Sequence, residues 1–265
     1  DGTVCSVIAT TPVFTDGPAF ELEFDDGFKI KAGADHLWPV ERRTRKRISM
    51  AYTRPGEPQR QYREHVIMST REIAEHGADV DARLAIPVAE PLVLPEVSLP
   101  VDLFVVGALL GDGTSVNGDL TCGDPWIFAE VERRGYGLGH DKSPSRNARL
   151  SKIDGLSMSL RDMGLRSNKY IPKAYLRASL QQRLDLMRGL MDTDGHCDTR
   201  GTATFCNTNE KLVDGFCELA HTLGLKPHCR LHSFMREGEP YEYWQVSFQA
   251  YAAFAPFGLP RKVAR

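Results

Sequence analysis

The chain has 265 residues, 42% of them hydrophobic and 26% charged, with a formal net charge of -2 and a pI near 6.5. This composition suits one large or two modest soluble cores and excludes disordered and fibrous classes. No apolar run approaches the roughly 20 residues needed to span a bilayer, and no basic-then-apolar signal segment is present, so an intracellular, cytoplasmic protein with no membrane partner is expected.

Residues 1–40 alternate apolar and polar side chains between turn signals at Asp16-Gly17-Pro18 and Asp25-Asp26-Gly27, which predicts β-hairpins. Residues 41–63 are dense in charge, with Arg42-Arg43-Thr44-Arg45-Lys46-Arg47 followed by Pro55, Gly56 and Pro58, and read as a mobile loop or an inserted hairpin. Ser69 as N-cap and Glu72 at the capping-box position predict a short helix over 69–77. Pro87, Pro91, Pro95 and Pro100 force an extended segment, because proline and the residue before it resist helix, and the domain boundary is placed there. Beyond it, helical apolar spacing appears over 103–110, 126–133, 180–191 and 211–223, with β-like stretches at 202–206 and 244–248. The six cysteines form no CxxC pair and read as reduced, mostly buried thiols.

Two segments end alike, one running through Gly107 and Leu110 to Asp112-Gly113, the other through Gly189 and Met191 to Asp194-Gly195. Glycine inside a helix costs about 1 kcal/mol relative to alanine, so Gly107, Gly111 and Gly189 call for a compensating close approach of two helices. Asp112 and Asp194 would then meet at two helix C-termini, whose dipoles add negative charge to repelling carboxylates. That arrangement asks for a cation, and oxygen-only ligands suit Mg²⁺. Between Arg133 and Arg188 thirteen Lys or Arg face four acids. Solvated helix faces account for scattered charges of this kind, and a surface for phosphates is the alternative.

The paired segments resemble the LAGLIDADG signature of homing endonucleases. The resemblance implies a pseudo-twofold pair of αββαββα halves over residues 98–258, with Asp112 and Asp194 as the metal-binding acids. It also implies curved sheets lying in the DNA major groove and double-strand cleavage of a long double-stranded target site by a monomer. Asn168-Lys169-Tyr170-Ile171-Pro172 resembles the Lys-x-Ile-Pro block of intein-borne members, which makes Lys169 the candidate catalytic lysine. Base-reading side chains are expected within 199–206 and 228–249. A DNA-binding regulator of the same fold, or a decayed nuclease, is the alternative; both acids are retained, which favours cleavage.

Asp26 to Lys31 running into Ala34-Asp35-His36-Leu37-Trp38-Pro39-Val40 resembles the intein block that carries the splicing histidine. The resemblance implies an all-β, Hint-like splicing domain over 1–97, with 259–265 returning into it and the overall fold class mixed. His36 would polarise the upstream scissile peptide. Trp38 would be the first member of the Trp-Cys-Thr set of inteins that lack an N-terminal nucleophile. Gly33 stands where the family has threonine. The flanking host segments, or exteins, are the expected protein partners, and the segment 86–101 resembles that of inteins in replicative DNA helicases. The first and last splicing blocks are not found, so the chain as written is not expected to splice.

Overall fold

The computed structural model describes residues 2–25, 27–45, 61–76, 82–142, 147–236, 238–250 and 254–263. Positions 46–60 of the charged stretch 41–63, Gly77 at the end of the first expected helix, and 264–265 of the stretch 259–265 lie outside the described residues. The chain divides into two units, one of residues 6–88 and one of residues 1–5 with 89–265. No helix among the described residues is long and apolar enough to cross a membrane.

In the smaller unit, β1 (Ala19–Glu23) and β2 (Lys29–Gly33) form an antiparallel hairpin, closed by a turn in which Gly27 adopts φ +83°. Residues 2–15 join no strand, so the hairpin expected ahead of Asp16 does not form; alternation alone cannot supply a ladder partner. A second sheet has the order β4-β3-β5, with β3 (Leu37–Arg45) between β4 (Gln61–Ser69) and β5 (Ala82–Ala85). The arms of the charged stretch are thus paired strands. Pro39 fits β3 because β5 pairs only with residues 41–44, so the N–H that proline lacks is not needed on that side. Helix α1 (Thr70–His76) starts with the expected reciprocal cap: Glu72 N donates to Ser69 Oγ at 3.2 Å, and Ser69 N donates to Glu72 Oε2 at 2.7 Å.

The larger unit is built twice on one plan. The first half runs α2 (Leu103–Asp112), β6 (Gly113–Thr114), β7 (Asp119–Cys122), α3 (Pro125–Arg133), β8 (Arg149–Lys152) and α4 (Leu156–Asp162). After a single turn, α5 (Lys173–Leu176), the second half runs α6 (Leu180–Asp194), β9 (Gly195–Cys197), β10 (Thr202–Asn207), α7 (Glu210–Thr222), β11 (His228–Arg236) and β12 (Glu239–Gln249). A last turn of helix, α8 (Pro260–Val263), follows. The second sheet has the order β9-β10-β12-β11, the first β6-β7-β8. Residues 137–142 complete the match: Leu138 bridges Ile153, and Gly139 N and Lys142 N each donate to β8 carbonyls at 2.8 Å. That segment therefore flanks β8 as β11 flanks β12. It escapes a simple alternation reading because Gly137 and Gly139 interrupt it.

Core placement follows from these faces. Every residue of α2 from Leu103 to Leu110 is buried, which makes it a central helix rather than a surface one. On the second sheet Ala203, Phe205, Val246 and Phe248 point inward, and Phe216 of α7 stacks on Phe205 with ring centroids 4.3 Å apart. The proline-rich segment is extended, as expected, and is laced to the larger unit. Leu92 N donates to Thr222 O at 2.9 Å, and Gln182 exchanges two hydrogen bonds with the Val97 backbone at 3.1 and 2.7 Å. Arg183, fully buried, donates to the carbonyls of Ala178, Thr222 and Leu92. Burial pulls its guanidinium below the usual arginine range, and the carbonyl end of α7 is what offsets the charge there.

Candidate metal centre

The two repeated segments form one helical seam. A Cβ placed on Gly189 would lie 2.9 Å from Gly107 Cα and 2.8 Å from Ala108 N, and one on Gly107 would lie 3.0 Å from Gly189 Cα. Backbone is in the way in both directions, so only glycine permits the approach. Gly111 serves the same end one turn on, where a Cβ would press on Thr193 Cβ at 2.9 Å.

The terminal glycines work otherwise than a helix-stopping Asp-Gly suggests. Gly113 and Gly195 are extended, at φ -95° and -92°, and lead straight into β6 and β9. Glycine is required by crowding instead: a Cβ at Gly113 would stand 2.7 Å from Leu109 Cα, and one at Gly195 2.7 Å from Met191 Cα. Each chain thus turns sharply from helix to strand, leaving Asp112 and Asp194 at adjacent helix ends.

Both carboxyl groups are part-buried. Burial, then the neighbouring Asp112, pushes Asp194 up to about 6, and a protonated Asp194 donates to Asp112. Asp112 is raised as well, chiefly by burial, with hydrogen bonds from the Cys122 thiol and from Asp194 acting against the rise. Two carboxylates that resist sharing negative charge form a site short of cations.

Lys169 is also brought to this point. Its Nζ donates to Gly111 O at 2.7 Å, and its ammonium is favoured by Asp194 and Asp112 against the burial that lowers its pKa. Asn209, the N-cap of α7, fixes it by donating to Lys169 O at 2.8 Å.

Four more side chains belong to the arrangement and were given no role by the motifs. Lys262 of α8 donates to the carbonyls of Met191, Asp192 and Gly195 at 2.8, 2.7 and 2.7 Å, covering the end of α6 as Lys169 covers that of α2. Its neighbour Arg261 donates to Asp124, the N-cap of α3, at 2.8 Å. Asp192 is buried, pushed up to about 6 by that burial, and accepts from Gly258 N and Leu259 N at 3.0 Å, which ties residues 257–263 to the seam. Asn207 Nδ2 donates to Asp194 Oδ2 at 3.2 Å. Strand register makes Asn207 and Cys122 counterparts: Gly195 pairs with Phe205 and Gly113 with Leu120, and each acid-holding residue stands two places further on. A register-level signal of this kind exists only once the strands are paired.

Oxygen donors and a cation-deficient pair fit a divalent ion. Among the described residues no group of three His, Cys, Asp or Glu could hold a metal, so the remaining ligands would be carbonyl, solvent or phosphate oxygens, as Mg²⁺ commonly takes them. In the smaller unit His36 and Trp38 are also brought together, with ring centroids 4.6 Å apart in edge geometry. Trp38 Nε1 donates to Thr70 Oγ1 at 2.9 Å, and Thr70 N donates to His36 O at 2.9 Å. Thr70 is buried and was not singled out by sequence. Among the described residues no disulfide is formed; Cys122 and Cys197 are buried, while Cys5 and Cys229 are exposed, so the thiols are less buried than expected.

No family model matches the chain. The replicative DNA helicase DnaB of Mycobacterium intracellulare is 35% identical over 232 residues, covering 85% of this chain and 38% of the helicase. The chain therefore spans well under half the length of that relative. Three solved structures of the homing endonuclease I-DmoI each align with 56% of this chain. They comprise mesophilic variants (TM-score 0.39, 14% identity, 87% of that chain), a variant with its target DNA and manganese (0.38, 14%, 86%), and a complex with DNA and calcium (0.38, 13%, 82%).

Proposed function

We propose that residues 98–258 form a LAGLIDADG-type endonuclease that makes site-specific double-strand breaks in DNA with a divalent cation, Mg²⁺ by the chemistry of its donors. In the same proposal the smaller unit, residues 6–88, belongs to the Hint-like splicing scaffold of an intein interrupting a replicative DNA helicase, while residues 259–263, expected to return into that scaffold, are tied instead to the end of α6 through Leu259 and Lys262. The observation that carries the nuclease reading is the meeting of Asp112 and Asp194 at the ends of two helices held together by Gly107 and Gly189. Similarity to a DnaB helicase supports the choice of host.

Asp112 and Asp194 would hold the divalent ion, whose charge would stabilise the attacking and leaving oxygens in phosphodiester hydrolysis. Lys169, anchored to Gly111 O, keeps an ammonium beside both acids, where it offsets phosphate charge and orients water. Cys122 and Asn207 each hold one acid in place. The sheet faces turned away from the helices carry Thr121 and Lys152 in one half and Thr204, Arg230 and Gln245 in the other, side chains suited to base edges and phosphates. In the splicing half, His36 donates to the carbonyl oxygen of the upstream scissile peptide. Trp38, fixed by Thr70, packs against its ring.

The test is incubation of the full chain as a monomer with the uninterrupted helicase gene and Mg²⁺. A break at one site is expected. Binding without cleavage at any Mg²⁺ concentration would favour a decayed nuclease or regulator and overturn the catalytic reading. For splicing, the first and last splicing blocks are added to the chain together with its host segments: ligated host is expected, and ligation unchanged in His36→Ala would remove the role given to His36.

A further inference from the structure

The outward face of the second sheet changes character along its length. Pairing puts Arg230, His232 and Phe234 of β11 opposite Gln245, Tyr243 and Tyr241 of β12, and the same face continues through Cys206 and Thr204 of β10. The inner part offers hydroxyl, amide and guanidinium groups. The outer part is aromatic: His232 stacks on Tyr243 with centroids 5.2 Å apart, and Phe234 lies 5.2 Å from Tyr241 and 6.1 Å from Tyr243. The Arg236 guanidinium sits 5.7 Å over the Tyr241 ring.

Cross-strand aromatic pairs stabilise a hairpin, yet these rings lie on the face away from α7, and Phe234 is 47% exposed. Among donors and acceptors, the major groove offers a single apolar feature, the 5-methyl group of thymine. Arg230 and Arg236, at either end of the ring cluster on this face, supply positive charge for the flanking phosphates; Glu239 stands opposite Arg236.

We propose that the outer end of the β11–β12 hairpin, through Phe234, Tyr241 and Tyr243, reads thymine methyl groups in the major groove of the bound DNA. This rests on the DNA-binding reading above. Strand residues advance about 3.4 Å each, close to the rise of about 3.4 Å per base pair along one DNA strand. The rings therefore cover about three or four consecutive pairs outside those facing Thr204 and Gln245. The corresponding face of the first half carries Asp119, Thr121, Leu150 and Lys152 and no aromatic ring on β7 or β8, so reading by a ring cluster is confined to the second half.

The test selects sites from a randomised duplex library with the full chain in the absence of divalent ion. Each thymine of the recovered site is then replaced by deoxyuridine, which removes only the methyl group. Thymine enrichment at three or four outer pairs of one half is expected, with affinity falling about fourfold per methyl lost. Phe234→Ser with Tyr241→Ser should bind thymine and deoxyuridine sites alike, and Tyr241→Phe should keep the difference. The wild-type comparison stands even if the double variant does not fold. Equal affinity for deoxyuridine and thymine sites overturns methyl reading while leaving DNA binding intact. Recovery of no sequence at all overturns the DNA-binding reading and this proposal with it.

Discussion

Gly107 and Gly189 face one another across the α2–α6 seam so closely that a methyl group on Gly189 would lie 2.9 Å from Gly107 Cα. The obstruction is backbone, which cannot swing aside as a side chain can. Gly107→Ala and Gly189→Ala should each lose on the order of 3 kcal/mol by urea denaturation and separate the two acids. Gly17→Ala, with nothing within 4 Å of its Cβ, should be close to neutral and is the control.

The acids themselves predict a pH response. Asp194 is raised from 3.8 to about 6 and Asp192 likewise. A carboxyl whose folded pKa exceeds its unfolded value favours folding at low pH and loses that contribution as pH rises through the folded pKa. Metal-free protein should therefore lose on the order of 2 kcal/mol of stability from each of these groups between about pH 4 and pH 7. Millimolar Mg²⁺ should restore stability at pH 7 and have little effect at pH 4. Differential scanning calorimetry at both pH values checks the sign, and a rise in stability toward pH 7 without metal would contradict it.

Cys122 and Asn207 occupy matching places on β7 and β10 and hold Asp112 and Asp194 respectively. Partners behind metal ligands are commonly worth 10- to 100-fold in activity. Cys122→Ala and Asn207→Ala should each slow cleavage about tenfold, the loss falling mainly on one DNA strand and on opposite strands in the two variants. Nicked intermediate resolved by strand on a denaturing gel reports this. Equal slowing of both strands in either variant would contradict the two-half arrangement.

Lys169 and Lys262 cover the carbonyl ends of α2 and α6, yet they are bonded unequally. Lys169 makes one hydrogen bond there, to Gly111 O, and Lys262 makes three. Lys169→Met should cost about 100-fold in cleavage rate with little change in melting temperature. Lys262→Met should also lower stability, by about 2 kcal/mol, because three carbonyls lose their cation. The split between rate and melting temperature distinguishes the two.

The central helices were legible because glycine is expensive inside a helix, so Gly107 and Gly189 announce a close approach before any coordinates exist. Asp112 and Asp194 followed from those glycines, and Lys169 from its own short motif. Lys262, Asp192 and Cys122 were not legible: each acts through a register or a return of the chain that only folding creates. The first-half sheet was under-read for a related reason, since glycine-interrupted residues 137–142 pair with β8 without any apolar alternation. In the smaller unit, the arms of 41–63 pair as antiparallel strands, which is the inserted-hairpin alternative that the sequence offered.

The paired carboxylates are tested most directly by anomalous diffraction from crystals of the full chain soaked in Mn²⁺. The account predicts a manganese peak between Asp112 and Asp194, about 2.2 Å from an oxygen of each, and its loss in the Asp112→Asn, Asp194→Asn double variant. No peak at the pair in wild-type crystals, or one that persists in the double variant, would contradict the assignment.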